Sequence, residues 1–301
     1  MSADTAAQRA DAHLQAGEFR EAREAARNGL AQAPEDVELL ILAGRAGVEL
    51  DSEDATEQLI RASELAPEHA DAWHYLGEAL ATEGRMDEAN DAFRRAVELN
   101  PADQVALSHL GHTSAATGNQ EEAVGYLSQA AQNMGRASTA SISLVDMYRT
   151  LGQYEQALAQ AKLIAEAEPD DLMATLDVAE LSLEVGKLEE AFAAFTRLRE
   201  LDEVPGRAIY PLHGLIKAEI ARERWEPALE IAREAAGADE QGRTQIVIAF
   251  LEVQAGVPSE AEGEAPAPTR EEVDAALTVS LSEYRRMHAD DRRLAAEDLL
   301  G

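Results

Sequence analysis

The feature that most constrains this chain is a register. Gly84, Gly118, Gly152 and Gly186 recur at one constant spacing, and Ala89, Ala123, Ala157 and Ala191 follow them at the same spacing. Upstream, Gly17 and Ala22 stand in the same relation, and Pro34, Pro67 and Pro101 close the first three units. The shared phrase is Gly-x-x-x-Glu-Ala: GEFREA at 17–22, GRMDEA at 84–89, GNQEEA at 118–123 and GKLEEA at 186–191, with GQYEQA at 152–157 differing only by a glutamine. A strict period of roughly 34 residues points away from one closed core and toward a stack of similar units, each touching only its neighbours.

The unit is clearest in ADAWHYLGEALATEGRMDEANDAFRRAVELNPAD, residues 70–103. Trp73, Leu76 and Leu80 recur at helical spacing and form the apolar stripe of a first helix; Ala89, Phe93, Ala96 and Val97 do the same for a second. Gly77 and Ala89 are small enough for the two axes to approach closely, with Phe93 filling the space beside them. Gly84 sits where the first helix must stop, a place for a residue that tolerates positive φ. Pro101 ends the second helix, because proline cannot continue one. A single hairpin of this kind cannot bury its own apolar face, so it needs neighbours on both sides.

The order of Trp73, Leu76-Gly77, Ala89, Phe93 and Pro101 resembles the tetratricopeptide-repeat pattern, and the resemblance extends over about residues 3–242. It implies an all-α, right-handed superhelical solenoid of antiparallel helix hairpins, with seven repeats at about 3–35, 36–69, 70–103, 104–137, 138–171, 172–205 and 209–242. The first helix of repeat one lacks large apolar residues and is expected to fray or to act as a polar cap. An insertion at 203–207 shifts the register before repeat seven. In the family the first helices line a concave groove that holds a peptide or helix of another protein, through the second, fifth, ninth and twelfth residues of each repeat. Carried over, the partner-binding groove is expected at Ile142, Asp146 and Arg149 of repeat five, Met173, Leu176, Glu180 and Leu183 of repeat six, and Tyr210, His213 and Lys217 of repeat seven. A secondary groove is expected at His74, Glu78, Ser108 and His112. The apolar members concentrate in repeats five to seven, where side chains facing water need an explanation. Docking of an amphipathic helix or extended segment is one, with Asp146 and Glu180 meeting its basic residues. Burial of these side chains by tight superhelical curvature is the other.

One further apolar helix, around Ile246, Ala249, Phe250 and Val253, completes a solenoid expected over 1–255. Residues 256–269, GVPSEAEGEAPAPT, carry prolines, glycines and acids without periodicity and read as a linker or loop. Thr269 and Glu272 then form a capping-box signature. It opens an amphipathic helix within 270–301, with Val273, Leu277, Leu281, Tyr284 and Met287 on one face and a last short helix over 290–300. This tail is expected to pack on Phe250 and Val253 as the terminal cap of the stack. Two alternatives stay open: a lid folded into the groove, and a docking tail for a partner or for self-association.

Charge narrows the partners. Fifty-eight acids against 26 Lys+Arg give a net charge of −32, which argues against nucleic acid and anionic membranes and would steer a basic protein segment toward the chain. Solubility or salt adaptation is the other reading of that acidity. There are no cysteines for disulfides or thiolate metal sites. The N-terminal stretch has no signal-peptide profile, and no apolar run approaches a membrane span, so a cytoplasmic location is expected. The groove positions hold His74, Glu78, Ser108, His112 and Asp146 where the family's carboxylate clamp has lysine, asparagine and arginine, which excludes a chaperone-tail adaptor of that type. His74, His109 and His112 lie near one another by register, but no motif fixes a carboxylate beside them, and no metal or other cofactor is expected. Nucleophile motifs and phosphate loops are absent. The sequence therefore reads as a non-catalytic interaction scaffold or adaptor. The alternative is a regulatory or assembly-factor subunit whose groove is gated by its own C-terminal helix.

Overall fold

A computed structural model describes residues 3–136, 138–202, 204, 207–239, 241–257 and 267–300, without the side chains of residues 3–4 and 289–300. The chain is an all-α repeat solenoid with no strand among those residues. Its helices pair as α1 (Ala3–Gln15) with α2 (Phe19–Leu30), α3 (Val37–Glu49) with α4 (Ala55–Leu65), α5 (Ala70–Thr82) with α6 (Met86–Leu99), and α7 (Gln104–Ala116) with α8 (Gln120–Met134). In chain order follow α9 (Thr139–Thr150), α10 (Tyr154–Ala167), α11 (Leu172–Glu184), α12 (Leu188–Leu201), α13 (Ile209–Ala221), α14 (Trp225–Ala236), α15 (Arg243–Ala255) and α16 (Arg270–Leu300). None is long and apolar enough to cross a membrane among the described residues. The chain divides into two compact units, Met1–Met147 and Tyr148–Gly301.

Five of the turns inside the repeats close on a glycine with positive φ, at Gly17, Gly84, Gly118, Gly152 and Gly186. At Gly84, with φ +76°, the Arg85 amide donates to the Leu80 carbonyl and the Gly84 amide to that of Ala81. This is the left-handed helix ending in which a Cβ is disfavoured. The first helix of the following repeat starts on a different device. Asp36, Asp103 and Asp171 each accept backbone N–H groups of the following first turn, at 2.7–3.1 Å, and so satisfy amides that a helix start leaves orphaned.

Within the first unit α1 to α8 pack consecutively, and the first helices also touch across repeats, α1 with α3, α3 with α5 and α5 with α7. That second set of contacts makes the first helices the inner layer. The core beneath includes Leu59, Leu76, Phe93 and Leu110. Gly77 is a steric requirement: a Cβ there would lie 2.8 Å from the Phe93 ring. The first helix departs from the frayed or polar cap expected of it. Ala6, Ala7 and Ala10 are buried with Ala25, Ala26, Leu39 and Leu42, because alanine faces let the helices approach without needing large side chains.

In the second unit α10 to α15 pack consecutively, and α11 again touches α13. The C-terminal helix is one unbroken element to Leu300, where a break before a last short helix was expected. Its packing reaches α15, which carries Phe250, and extends over the first helices before it. It packs against α11, α13 and α15, the inner layer. Phe250 is buried in the shared core, but Val253 is 54% exposed. The insertion at 203–207 and the linker at 256–269 lie largely outside the described residues.

Candidate partner-binding surfaces

In the second unit the inner face carries α16. Its apolar stripe of Val273, Leu277, Leu281 and Tyr284 is buried in one cluster with Met173, Leu176, Ile216 and Phe250. Helical spacing puts these four on one face, and the first helices supply the complement. Leu176 is fully buried and Met173 nearly so, and Leu183 packs against the same cluster. The Tyr210 ring lies against that of Tyr284, 5.2 Å between centroids.

Polar contacts fix the position of α16. His213 lies between the Ser280 hydroxyl, 2.7 Å from Nδ1, and the Thr244 hydroxyl, 2.9 Å from Nε2. Burial, the largest influence, holds its pKa down at about 4; Arg243 adds to this and Asp239 opposes it. Lys217 donates to Thr278 at 2.8 Å and pairs with Asp274 at 3.2 Å. Arg243 forms a two-pronged pair with Glu283 at 2.6 and 2.7 Å. Arg285 enters between two carboxylates of α11, 2.8 Å from Asp177 and 2.5 Å from Glu180, while Arg149 donates to the same two residues at 2.9 Å. The Tyr284 hydroxyl donates to buried Asp202 at 2.6 Å. Burial raises the tyrosine pKa, and the Asp202 carboxylate raises it further.

Sequence reasoning placed Glu180, Tyr210, His213 and Lys217 at groove positions but overlooked Asp177, Asp202 and Arg285. A signal for Asp177 existed. It stands between Leu176 and Val178 in LMATLDVAELSLE, and an acid so flanked by apolar residues needs a cation.

In the first unit the inner face holds a cavity of about 470 Å³. Glu49 of α3, Asp71 and Glu78 of α5 and Asp103 at the start of α7 line it, with Tyr75 as an aromatic wall and Arg45 stacked 4.2 Å above the Tyr75 ring. His74 spans two of the acids, Nδ1 at 3.0 Å from Asp103 and Nε2 at 3.3 Å from Glu78. His109, stacked on Phe93, reaches Glu78 at 3.4 Å. Burial alone would raise the Glu78 pKa, but the two histidines outweigh it and pull it down to about 2. His74 shows the reverse balance: burial lowers its pKa, and Glu78 and Asp103 raise it overall. Ser108 is buried, and its carbonyl lies 2.7 Å from His112 Nδ1. A carbonyl only accepts, so Nδ1 carries the proton and Nε2 faces the Ser143 hydroxyl at 2.7 Å. Ile142 is half-buried and Asp146 exposed; both belong to this first unit, whereas the other eight expected groove residues belong to the second. No group of three or more His, Asp or Glu side chains is arranged to hold a metal among the described residues.

Two tetratricopeptide-repeat family models match the chain, one over residues 50–104 and 142–208 and the other over 3–46. No curated protein matches the sequence. Among solved structures, the C-terminal part of a repeat-containing protein from Cytophaga hutchinsonii is 18% identical, with a TM-score of 0.61 over 78% of this chain and 96% of that one. PilF of Pseudomonas aeruginosa is 18% identical, with a TM-score of 0.55 over 66% and 91%. YrrB, described as having an unusual peptide-binding site, is 20% identical, with a TM-score of 0.53 over 64% and 97%. At such identities the likeness concerns the fold, and it agrees with the helix pairing, the glycine turns and the family models: the chain belongs to the tetratricopeptide-repeat family.

Proposed function

We propose that this chain is a non-catalytic adaptor that docks a segment of another protein on the inner face of its first unit, while its own C-terminal helix fills the inner face of the second. The observation that carries this reading is the seating of α16 on α11, α13 and α15. An amphipathic helix on the inner layer is the ligand class that such a surface accommodates, here supplied in cis. The groove positions of repeats six and seven are thereby committed within the chain, and the first unit offers a formed cavity with half-buried Tyr75 and 46%-exposed Val105 on its walls. Rigid presentation of several side chains at once lowers the ordering cost of binding.

Paired affinity capture tests this. A partner held by the wild type is expected to be lost by Tyr75→Ala/Val105→Glu and kept by Arg285→Glu, which disturbs only the α16 site. A partner retained by the first variant sinks the proposal. The second reading, a groove gated by α16, is supported by the charged seat of Arg285. It requires Arg285→Glu to strengthen partner binding.

A further inference from the structure

We infer that the cavity of the first unit receives an arginine side chain from an amphipathic helix of the partner, held by Glu78 with Asp71 at the rim. This rests on the docking face proposed above and specifies its occupant. The chain carries its own example of the contact. Glu78 is the ninth residue of repeat three and Glu180 the ninth of repeat six, counting from Ala70 and Leu172. In the second unit that glutamate already holds Arg285, 2.5 Å away, and the arginine is delivered by a helix laid on the inner face. The same repeat position in the first unit opens on a cavity of about 470 Å³, large enough for a guanidinium and its aliphatic stem.

The local charge fits that occupant. His74 and His109 both contact Glu78 through Oε1, and Oε2 has no polar partner among the described residues. Asp71 and Glu49 are exposed on the same walls and make no ion pair among the described residues. Arg45 also lines the cavity, with its guanidinium stacked over the Tyr75 ring, and stands against the four lining carboxylates Glu49, Asp71, Glu78 and Asp103. A guanidinium presents paired N–H groups in a plane and meets a carboxylate two-pronged, which a lysine does not. The depressed pKa of Glu78 keeps it ionised at any pH at which the protein would meet a partner.

The test is a selection of 16-residue helical peptides, displayed on phage and randomised on one face, against the full chain. Selected peptides are expected to share an arginine at one fixed offset from their apolar anchors. Their affinity should fall about tenfold with Asp71→Asn/Glu78→Gln, and by a similar factor when the peptide arginine becomes glutamine, a change that leaves the protein untouched. Added salt should weaken binding as well. Peptides that bind the inner face, judged by loss with Val105→Glu, yet carry no basic residue would overturn the arginine assignment and leave the docking face standing. Peptides indifferent to Tyr75→Ala/Val105→Glu, or no binders at all, would overturn both.

Discussion

Glu223 occupies a backbone position that five other turns give to glycine. Its φ is +56°, against +69° to +88° at Gly17, Gly84, Gly118, Gly152 and Gly186, and the same two bonds close its turn, Arg224 N–H to Glu219 and Glu223 N–H to Ile220. A side chain in that region is strained by about 1 kcal/mol or more, only partly offset by the greater freedom glycine has when unfolded. Glu223→Gly should therefore raise stability by about 0.5–1 kcal/mol, read as a higher urea midpoint; a lower midpoint would mean that the side chain contributes more than its strain. The glycine register was legible in the sequence because a backbone requirement selects one residue type. The exceptions, Glu223 and Asp51 in repeat two, were not, since nothing local marks a tolerated strain. His213 makes a second prediction. Burial holds its folded pKa near 4, below the ordinary 6.5, so the unfolded chain takes up the proton first. Stability is then whole above pH 6.5 and drains as pH falls toward 4, with Asp239 and Arg243 the charged groups influencing the ring. Between pH 7 and pH 5 the wild type should lose about 2 kcal/mol more than His213→Gln. Equal losses in both proteins would place the sensitivity elsewhere.

The C-terminal helix shows how far a stripe of residues reads. Its existence and start were legible: the Glu272 amide donates to the Thr269 hydroxyl at 3.2 Å, the Thr269 amide to Glu272 at 2.7 Å, and the apolar face expected from spacing is the buried one. Where it docks was not. An apolar stripe says that something covers it, and the choice between the end of the stack and its inner face is made by polar groups on other helices. Asp177, Asp202 and Thr244 all lie buried, and each receives a side chain near α16 or on it. Arg285 is the sharpest probe of that docking. Its side chain is 26% exposed, so the loss is discounted below that of a fully buried pair. Arg285→Glu nevertheless sets a carboxylate against Asp177 and Glu180 and should weaken the seating of α16 by about 2 kcal/mol. Amide exchange along α16 should accelerate in that variant and stay unchanged in the Arg286→Glu control, where the altered side chain is exposed. Unchanged protection in both would show that the apolar stripe alone holds the helix.

At the scale of the molecule two electrostatic effects respond to salt in opposite senses. Contact pairs such as Arg85–Glu88 and Arg95–Glu98 lie at 2.6–3.1 Å on the surface, where solvent leaves each a weak contribution and salt screens part of it. Against them stands an excess of 32 negative charges, brought closer together by folding and repelling one another over tens of ångströms. The Debye length shrinks from about 30 Å at 0.01 M salt to about 8 Å at 0.15 M, which removes the long-range repulsion while leaving contacts near 3 Å much less affected. The repulsion is therefore the term that salt relieves, and the thermal midpoint should rise by several degrees on going from about 0.01 M to 0.15 M sodium chloride. Sucrose, which strengthens apolar burial without screening charge, separates this from a general solvent effect: a rise matched by sucrose alone, or a fall with salt, would mean that the excess charge does not set stability. The same screening must act in reverse on association. An arginine-bearing helix approaching Glu78 and Asp71 is drawn by the field that destabilises the fold, so its association rate should fall over the salt range in which the midpoint climbs. Opposite slopes, measured on one preparation, would identify a single charge distribution as the source of both.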